Sequence, residues 1–321
     1  MSKKLMFTRV ARNHAVNGYF PTDEETTLRI LDALEPASGR MLLLDPTCGE
    51  GAALAEIRRG LDGDSVTYGI EYDAGRAAAA RSVLDQVIHG DLQGCAVSER
   101  RFGLLWLNPP YGNLASDAAG TGSIAFKGQR RLEKLFYRLA FPALAPDGVL
   151  VLIVPFSTLD AEFVAWLTLW FDDLTCCRAA IQQYNQVVVL GRRRRQRLSS
   201  IGPGPALRMR ERLLAIGKGD VQAPMLPPVW LAEPYRIPAA TVAPVRFVLH
   251  EIEPQQLAAE IGRLPCLWSL FHSTFGHAGL ADRRPVREMS RWHLAMALAA
   301  GQITGLVQSD DGTRTLLIKG S

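Results

Sequence analysis

The sequence predicts an α/β fold: a seven-stranded mixed sheet in the first two hundred residues, followed by a smaller α+β C-terminal region. Three observations carry this expectation. Apolar runs of strand length alternate with stretches of helical periodicity. Four successive runs deliver a polar residue at their carboxyl end, Asp45, Glu71, Asp91 and Asn108, where open α/β sheets bind their ligands. Beyond residue 200 the alternation stops, and residues 203–244 hold eight of the nineteen prolines.

The elements follow in order. Thr22 and Glu25 have the S/T-x-x-E spacing of a capping box ahead of Leu28, Leu31 and Leu34, which predicts a helix starting there. Met41-Leu42-Leu43-Leu44 reads as a buried strand closed by Asp45, Gly49 and Gly51 permit close backbone approach, and Ala52 to Ile57 opens a helix. This strand, loop and helix carry only a G-x-G, which alone is a weak signal. Val66 to Ile70 is a second strand ending at Glu71, an acid placed as a ribose-binding residue would be. Gln86 to Leu92 is a third strand ending in an acid, and Leu104 to Leu107 runs straight into Asn108. Later, Leu132–Leu144 and Ala161–Phe171 read as helices, and Val149–Val154 and Gln186–Leu190 as strands. The Gly-, Ala- and Ser-rich stretch 112–128 is long enough to be a lid, a substrate contact or disorder.

Asn108-Pro109-Pro110-Tyr111 carries the most specific chemistry. An exocyclic amine such as adenine N6 delocalises its lone pair into the ring and is a poor nucleophile. A side-chain amide oxygen (Asn108) and the neighbouring backbone carbonyl (Pro109) accept its hydrogens and favour a pyramidal nitrogen, which is preorganised orientation and electrostatics. Pro109 and Pro110 stiffen the turn and remove two donors, and Tyr111 adds a flat face for a base, worth about 1–3 kcal/mol in stacking. Taken alone, the tetrapeptide is also what an ordinary turn after a strand looks like.

The loop Asp45-Pro46-Thr47-Cys48-Gly49-Glu50-Gly51, followed about sixty residues later by Asn-Pro-Pro-Tyr, resembles class I methyltransferases dependent on S-adenosyl-L-methionine (AdoMet). In motif order the chain is similar to N6-adenine DNA methyltransferases of the gamma arrangement over roughly residues 15–191. The resemblance implies a Rossmann-like seven-stranded methyltransferase sheet with AdoMet as cofactor. It places Asp45, Pro46, Cys48, Gly49 and Gly51 in the AdoMet loop, with Asp45, Cys48 and Gly49 lining the methionine pocket. It gives Glu71 to the ribose, Asp91 and Leu92 to the cofactor adenine, and Asn108, Pro109, Pro110 and Tyr111 to the target base. Gly18 to Thr22 resembles the segment that wraps over AdoMet, so Tyr19 and Thr22 join the cofactor residues, with a plain capped helix as the alternative for Thr22. Tyr184 is the nearest aromatic for gripping a flipped base, and a surface tyrosine is the other reading.

Three rivals remain. A glutamine N5-methyltransferase poses the same lone-pair problem, yet only forty-four residues precede Asp45 where such proteins carry a helical domain. RNA base methyltransferases share the core. A non-catalytic AdoMet- and nucleic-acid-binding module would have no use for an intact Asn-Pro-Pro-Tyr.

Charge is uneven. Between Arg192 and Lys218 there are nine basic residues and one acid, Glu211, giving +8 within a chain of net charge +4. Its core, Arg192, Arg193, Arg194, Arg195 and Arg197, is either a solvated linker or a phosphate-binding run for a nucleic-acid partner, DNA in preference to RNA. Ser199 to Pro205 reads as a hinge, which divides the chain into a catalytic domain 1–198 and a region 199–321 expected to wrap a surface, form a small α+β unit and take part in target recognition. There, Pro254–Gly262 and Ser290–Ala300 have helical character, and Gln302–Val307 with Thr313–Lys319 suggest a hairpin around Asp310-Asp311-Gly312. The end just after a strand leads us to expect further sequence in the natural protein. Five cysteines without metal spacing suggest reduced thiols and a cytoplasmic protein, His272 and His277 read as surface residues, and no metal is expected. No apolar run long enough for a signal peptide or a membrane span occurs.

Overall fold

A computed structural model of the protein describes residues 21–112, 131–181, 185–250, 290–293, 305–308 and 315–318. Helix α1 (Glu24–Leu31) and the short strand β1 (Leu34–Pro36) lead into β2 (Met41–Asp45), α2 (Ala52–Gly60), β3 (Ser65–Glu71), α3 (Ala74–Ala80), β4 (Gln86–His89), β5 (Cys95–Val97) and β6 (Phe102–Leu107). There follow α4 (Leu132–Ala140), β7 (Leu144–Pro155), α5 (Ala161–Trp170), β8 (Phe171–Arg178), β9 (Gln186–Arg193), α6 (Pro205–Lys218), β10 (Tyr235–Ile237) and β11 (Phe247–Leu249).

Seven strands form one sheet in the order β4-β3-β2-β6-β7-β9-β8. β4, β3, β2, β6 and β7 are parallel, and β9 is inserted antiparallel between β7 and β8. The inner strands are nearly unbroken apolar runs because helices cover both faces. Alternate residues sort accordingly. Leu42, Leu44, Leu105, Leu107, Leu150 and Leu152 face one core layer with Tyr137, Phe163 and Leu167 of α4 and α5. Met41, Leu43, Leu104, Trp106, Val149 and Val151 face the other, with Ile30, Leu54 and Ile57 of α1 and α2.

Two local expectations change, and one strand appears that the sequence does not mark. The cap of α1 is Asp23, one residue after Thr22: its carboxylate accepts from Thr26 N at 2.8 Å and Thr26 Oγ1 at 2.7 Å, so the expected Thr22–Glu25 box does not form. An Asp side chain satisfies the orphan helix donors at least as well as Thr, and Thr22 is left for another role. The helix predicted to Leu144 stops at Ala140, and Phe141–Ala143 tightens into a 3-10 turn around Pro142 before β7 begins. The seventh strand, β8, has no clear periodicity in the sequence because its ladder with β9 shifts register between Asp172 and Thr175, where Asp173 takes a positive φ of 51°.

Residues 199–250 pack on the sheet and its edges. α6 buries Leu213 and Ile216 against the same layer as α5. The chain then runs extended around the body: Met225 bridges Arg178 at the end of β8, Arg29 Nη1 donates to Leu226 O at 2.7 Å, β10 pairs parallel with β1, and β11 pairs antiparallel with β5. Tyr235 fastens this wrap by donating its hydroxyl to Asp173 O and lying 2.9 Å from Thr175 Oγ1. The proline-rich stretch 203–244, expected to be extended throughout, opens instead with α6 and runs extended only after it. The chain forms two compact units, Met1–Ile252 and Glu253–Ser321. In the second, Gly305–Gln308 (β12) and Thr315–Ile318 (β13) pair antiparallel as the expected hairpin. The expected helix 254–262, and all but Ser290, Arg291, Trp292 and His293 of the one at 290–300, lie outside the described residues. Among the described residues no helix is long and apolar enough to cross a membrane, and Cys48, Cys95, Cys176 and Cys177 form no disulfide.

If α6 is an integral part of the first unit, truncating a side chain it buries must cost as much as a core truncation. Leu213 is 0% exposed, so Leu213→Ala is expected to lower unfolding free energy by about 2–5 kcal/mol in urea titrations. A loosely attached linker helix would show no change in midpoint.

Candidate active site

Strand order reverses between β2 and β6, and in open α/β sheets the crevice outside such a reversal binds the ligand. Both motifs meet there. β2 ends in Asp45, and its loop turns through two glycines at positive φ, Gly49 (56°) and Gly51 (82°), the latter capping α2. A side chain is sterically disfavoured at those angles. Cys48 N donates to Ile70 O at 3.0 Å, tying the loop to β3, and Gly69 lies beneath Cys48 so closely that a methyl group on it would sit 2.6 Å from the sulfur.

Two acids bear on this loop, Asp45 within it and Glu71 beside it. Asp45 is 4% exposed and accepts from Thr47 N at 2.9 Å, with Thr47 Oγ1 3.3 Å away. Burial, with Glu71 adding repulsion, raises its pKa to about 7, although the Thr47 bonds act the other way. Burial, with Asp45 and Glu71 nearby, also pushes the Cys48 thiol well above its ordinary range, so it is no thiolate nucleophile. Glu71 braces the loop: Oε2 accepts from Gly49 N at 3.0 Å, and Oε1 accepts from Asp73 N at 2.8 Å and Arg76 Nη2 at 2.8 Å. The sequence places Glu71 at this strand end but gives no sign of its partner Arg76. Asp91 caps the turn after β4 through Gln93 N at 3.1 Å, and Leu92 beside it is buried.

Asn108 follows β6 directly. Its backbone oxygen accepts from Thr47 Oγ1 at 3.2 Å, so the Asp45 loop and the Asn-Pro-Pro-Tyr turn are joined by one threonine. Its carboxamide is held at both ends. Nδ2 donates to Thr22 Oγ1 at 3.1 Å, and Oδ1 accepts from the Tyr111 hydroxyl at 2.7 Å. That hydroxyl in turn accepts from Gln186 Nε2 at 2.6 Å. A hydroxyl has one proton; with Gln186 donating to Tyr111, the proton points at Asn108 Oδ1, and the polarity of the whole chain is set. Burial pushes the Tyr111 pKa far above its usual value, which keeps that proton in place. Pro109 is buried and Pro110 half-buried in the turn. The sequence points to the Tyr111 ring; the structure adds its hydroxyl. Gln186, 4% exposed at the start of β9, reads in the sequence only as a strand start. Its signal is a lone polar residue opening the run Gln186-Val187-Val188-Val189-Leu190.

Tyr19 and Tyr184 lie outside the described residues. The arginine run sits at the opposite end of the sheet: β9 pairs Gln186 with Pro155 at the site end and Arg192 with Val149 six residues away, about 20 Å at strand spacing. Arg193 must be withdrawn as a phosphate ligand. It is 6% exposed, its guanidinium lies 4.2 Å from the Phe141 ring, and Nη1 donates to the carbonyls of Phe141, Pro142 and Leu144. Arg192 pairs with Asp173 at 2.7 Å, Arg194 with Asp172, and Arg195 with Asp147 at 2.9 Å, while Arg197 is exposed.

Several solved structures match part of the chain at low identity. A Listeria monocytogenes protein assigned to the class I S-adenosylmethionine-dependent methyltransferases matches 61% of this chain and 71% of its own at 14% identity and a TM-score of 0.43. The methyltransferase subunit of a type I restriction-modification system from Streptococcus thermophilus matches 56% of this chain and 45% of its own at 18% identity and a TM-score of 0.41. TrmN from Thermus thermophilus matches 53% and 47% at 21% identity and a TM-score of 0.37. No curated protein sequence matches the chain. A family model does, over residues 5–207, which include the β2 loop, the Asn-Pro-Pro-Tyr turn and Gln186; the chain belongs to the uncharacterised methyltransferase family DUF6094.

Proposed function

We propose that the protein transfers a methyl group from AdoMet to an exocyclic amino nitrogen, with adenine N6 in DNA as the substrate. The observation that carries this reading is the Asn108 carboxamide, fixed by Thr22 and Tyr111 at a strand end and joined through Thr47 to the Asp45 loop. When bound, AdoMet supplies a methyl on a positively charged sulfur. The loop fits a cationic ligand: among the described residues Asp45 has no basic partner, and its raised pKa measures how poorly the protein alone tolerates its charge. Glu71, at the neighbouring strand end, is the carboxylate suited to ribose hydroxyls.

The chain's own residues then act on the target. Asn108 Oδ1 accepts a hydrogen of the incoming amine and, with the Pro109 carbonyl, draws the nitrogen towards a pyramidal shape with a directed lone pair. Tyr111 fixes Oδ1 through its hydroxyl and offers its ring face to the base. A base in duplex DNA reaches this position only by leaving the stack, at a cost of a few kcal/mol that a mispaired or single-stranded base largely avoids.

Two sets of variants test the machinery. Asn108→Ala is expected to retain AdoMet affinity by calorimetry and to lose about 2.7–4 kcal/mol of transition-state stabilisation, read as incorporation of labelled methyl into duplex DNA, single-stranded DNA, RNA or protein. Equal loss of AdoMet affinity, or activity within a few-fold of the parent, refutes the assignment; label appearing only in RNA or protein refutes the DNA substrate. Tyr111→Phe and Gln186→Leu should each lower kcat by about three- to tenfold, matching the ~0.5–1.5 kcal/mol of one hydrogen bond. Tyr111→Ala should cost more, because the ring is lost as well.

Asp45 makes a further prediction, of pH dependence. Its folded pKa of about 7 is above the ordinary carboxyl value of 3.8, so the folded protein holds a proton that the unfolded chain releases. Stability without ligand therefore falls as pH rises from about 4 to 7, by up to ~1.4 kcal/mol per unit. A bound cation favours the carboxylate, so AdoMet affinity is expected to strengthen as pH rises from about 6 to about 8, with proton release on binding below about 7. Asp45→Asn should flatten both profiles. Calorimetry in buffers of different ionisation enthalpy checks this, and equal proton exchange by parent and variant would contradict it.

A further inference from the structure

The arginine run is the obvious positive feature of the sequence, but the structure neutralises most of it. Asp173, Asp172 and Asp147 pair with Arg192, Arg194 and Arg195, and Arg193 is buried. α6, by contrast, keeps a cluster of charge that no ion pair among the described residues offsets. Its sequence contains Arg208, Arg210, Arg212 and Lys218 against one acid, Glu211, a net +3. Among the described residues none of these four cations makes a side-chain hydrogen bond or ion pair. Arg208, Arg212 and Lys218 are exposed and Arg210 is half-buried.

Packing fixes which face they occupy. Leu213 and Ile216 are buried, and Met209 and Leu214 pack against the same core, so the helix cannot roll to hide its charged side. Arg208 and Arg212 are four apart and stand on one outer flank, because residues at that spacing are neighbours on a helix. Packing also sets the direction. α6 ends against Leu159 just beyond β7, where a side chain on Gly217 would overlap the Leu159 backbone. Arg212 lies within electrostatic reach of Cys176 and Cys177, in the half of β8 that pairs with Val189 and Val188 and so lies towards the Gln186 end. α6 therefore runs back towards the active-site end of the sheet, with Lys218 in its last turn and Arg208, Arg210 and Arg212 along the preceding turns. β8 is three strands from β6, about 14 Å at ordinary strand spacing.

We propose that the outer face of α6, through Arg208, Arg210 and Arg212, is a docking surface for the phosphate backbone of duplex DNA flanking the target base. The proposal rests on the nucleic-acid reading above, and it is tested by binding, without turnover. Substituting all three by glutamine (R208Q/R210Q/R212Q) keeps helix propensity. Fluorescence anisotropy with a labelled duplex should then show weaker binding, with a log K against log salt slope reduced by about 0.9 for each phosphate that is no longer neutralised. AdoMet affinity should be unchanged, which reports an intact fold. The paired set R192Q/R194Q/R195Q should leave the slope near the parent value. An unchanged slope in the α6 variant overturns the proposal, as does a loss confined to single-stranded RNA of the same sequence or a larger loss in the paired set. The two readings fail separately. DNA binding that depends on α6 without methylation of adenine would sink the proposed reaction and leave the surface standing; adenine methylation with α6 inert would do the reverse.

Discussion

The structure depends on one topological constraint: β2 and β6 are adjacent and parallel, but the chain leaves them in opposite directions, towards β3 and β4 on one side and β7 on the other. Right-handed crossovers carry the connecting helices to opposite faces of the sheet, so no connection covers the gap above these two strand ends. Polar groups there need no compensation from core packing. That is why Asp45 and Asn108 sit where the strand positions before them are aliphatic, and why a single hydroxyl, Thr47 Oγ1, reaches both, at 3.3 Å from the Asp45 carboxylate and 3.2 Å from the Asn108 backbone oxygen.

Electrostatics distinguishes charge that belongs to the fold from charge left over. Exposed pairs such as Arg192–Asp173 and Arg195–Asp147 contribute little stability, on the order of 0–1 kcal/mol, yet they cancel the local field. Both aspartates adopt positive φ, Asp147 at 62° and Asp173 at 51°, at a turn and a bulge that Asp tolerates better than most residues. Arg193 contributes differently. Buried beneath Phe141 and bonded to successive carbonyls after α4, it closes orphan acceptors at a helix end. Apart from the exposed Arg197, the arginine run thus divides into structural and paired members, while the arginines of α6, more diluted in sequence, keep their field.

Much of the sheet and of the site's skeleton is legible in the sequence, for identifiable reasons. Buried parallel strands announce themselves as aliphatic runs, and the residues that end them, Asp45, Glu71 and Asn108, are visible because the polarity change is abrupt. β8 is not, because Asp172 and Asp173 lie near its start and a bulge disrupts its alternation. The cap of α1 lies one residue from where spacing puts it because Thr22 and Asp23 both qualify by type, and only geometry shows that Asp23 caps and Thr22 turns to Asn108. The partners Arg76 and Gln186 are invisible for another reason: each acts on a residue that no motif spacing relates to it.

Gln186 also explains what the antiparallel strand does. A parallel β9 would bring its carboxyl end to the crevice; inserted antiparallel between β7 and β8, it brings its first residue instead. That residue is buried, and its position is fixed by the ladder with Pro155 rather than by a loop. A strand start is stiffer than a loop tip, and a buried amide there has few alternatives to the Tyr111 hydroxyl at 2.6 Å. Orientation passes from Gln186 to Tyr111 and on to Asn108, each link limiting the rotation of the next group. Such networks strengthen in a low-dielectric setting and lose disproportionately when one member goes. The carboxamide proposed to meet a substrate amine is therefore aligned before any substrate arrives, by backbone pairing two strands beyond the one that delivers it.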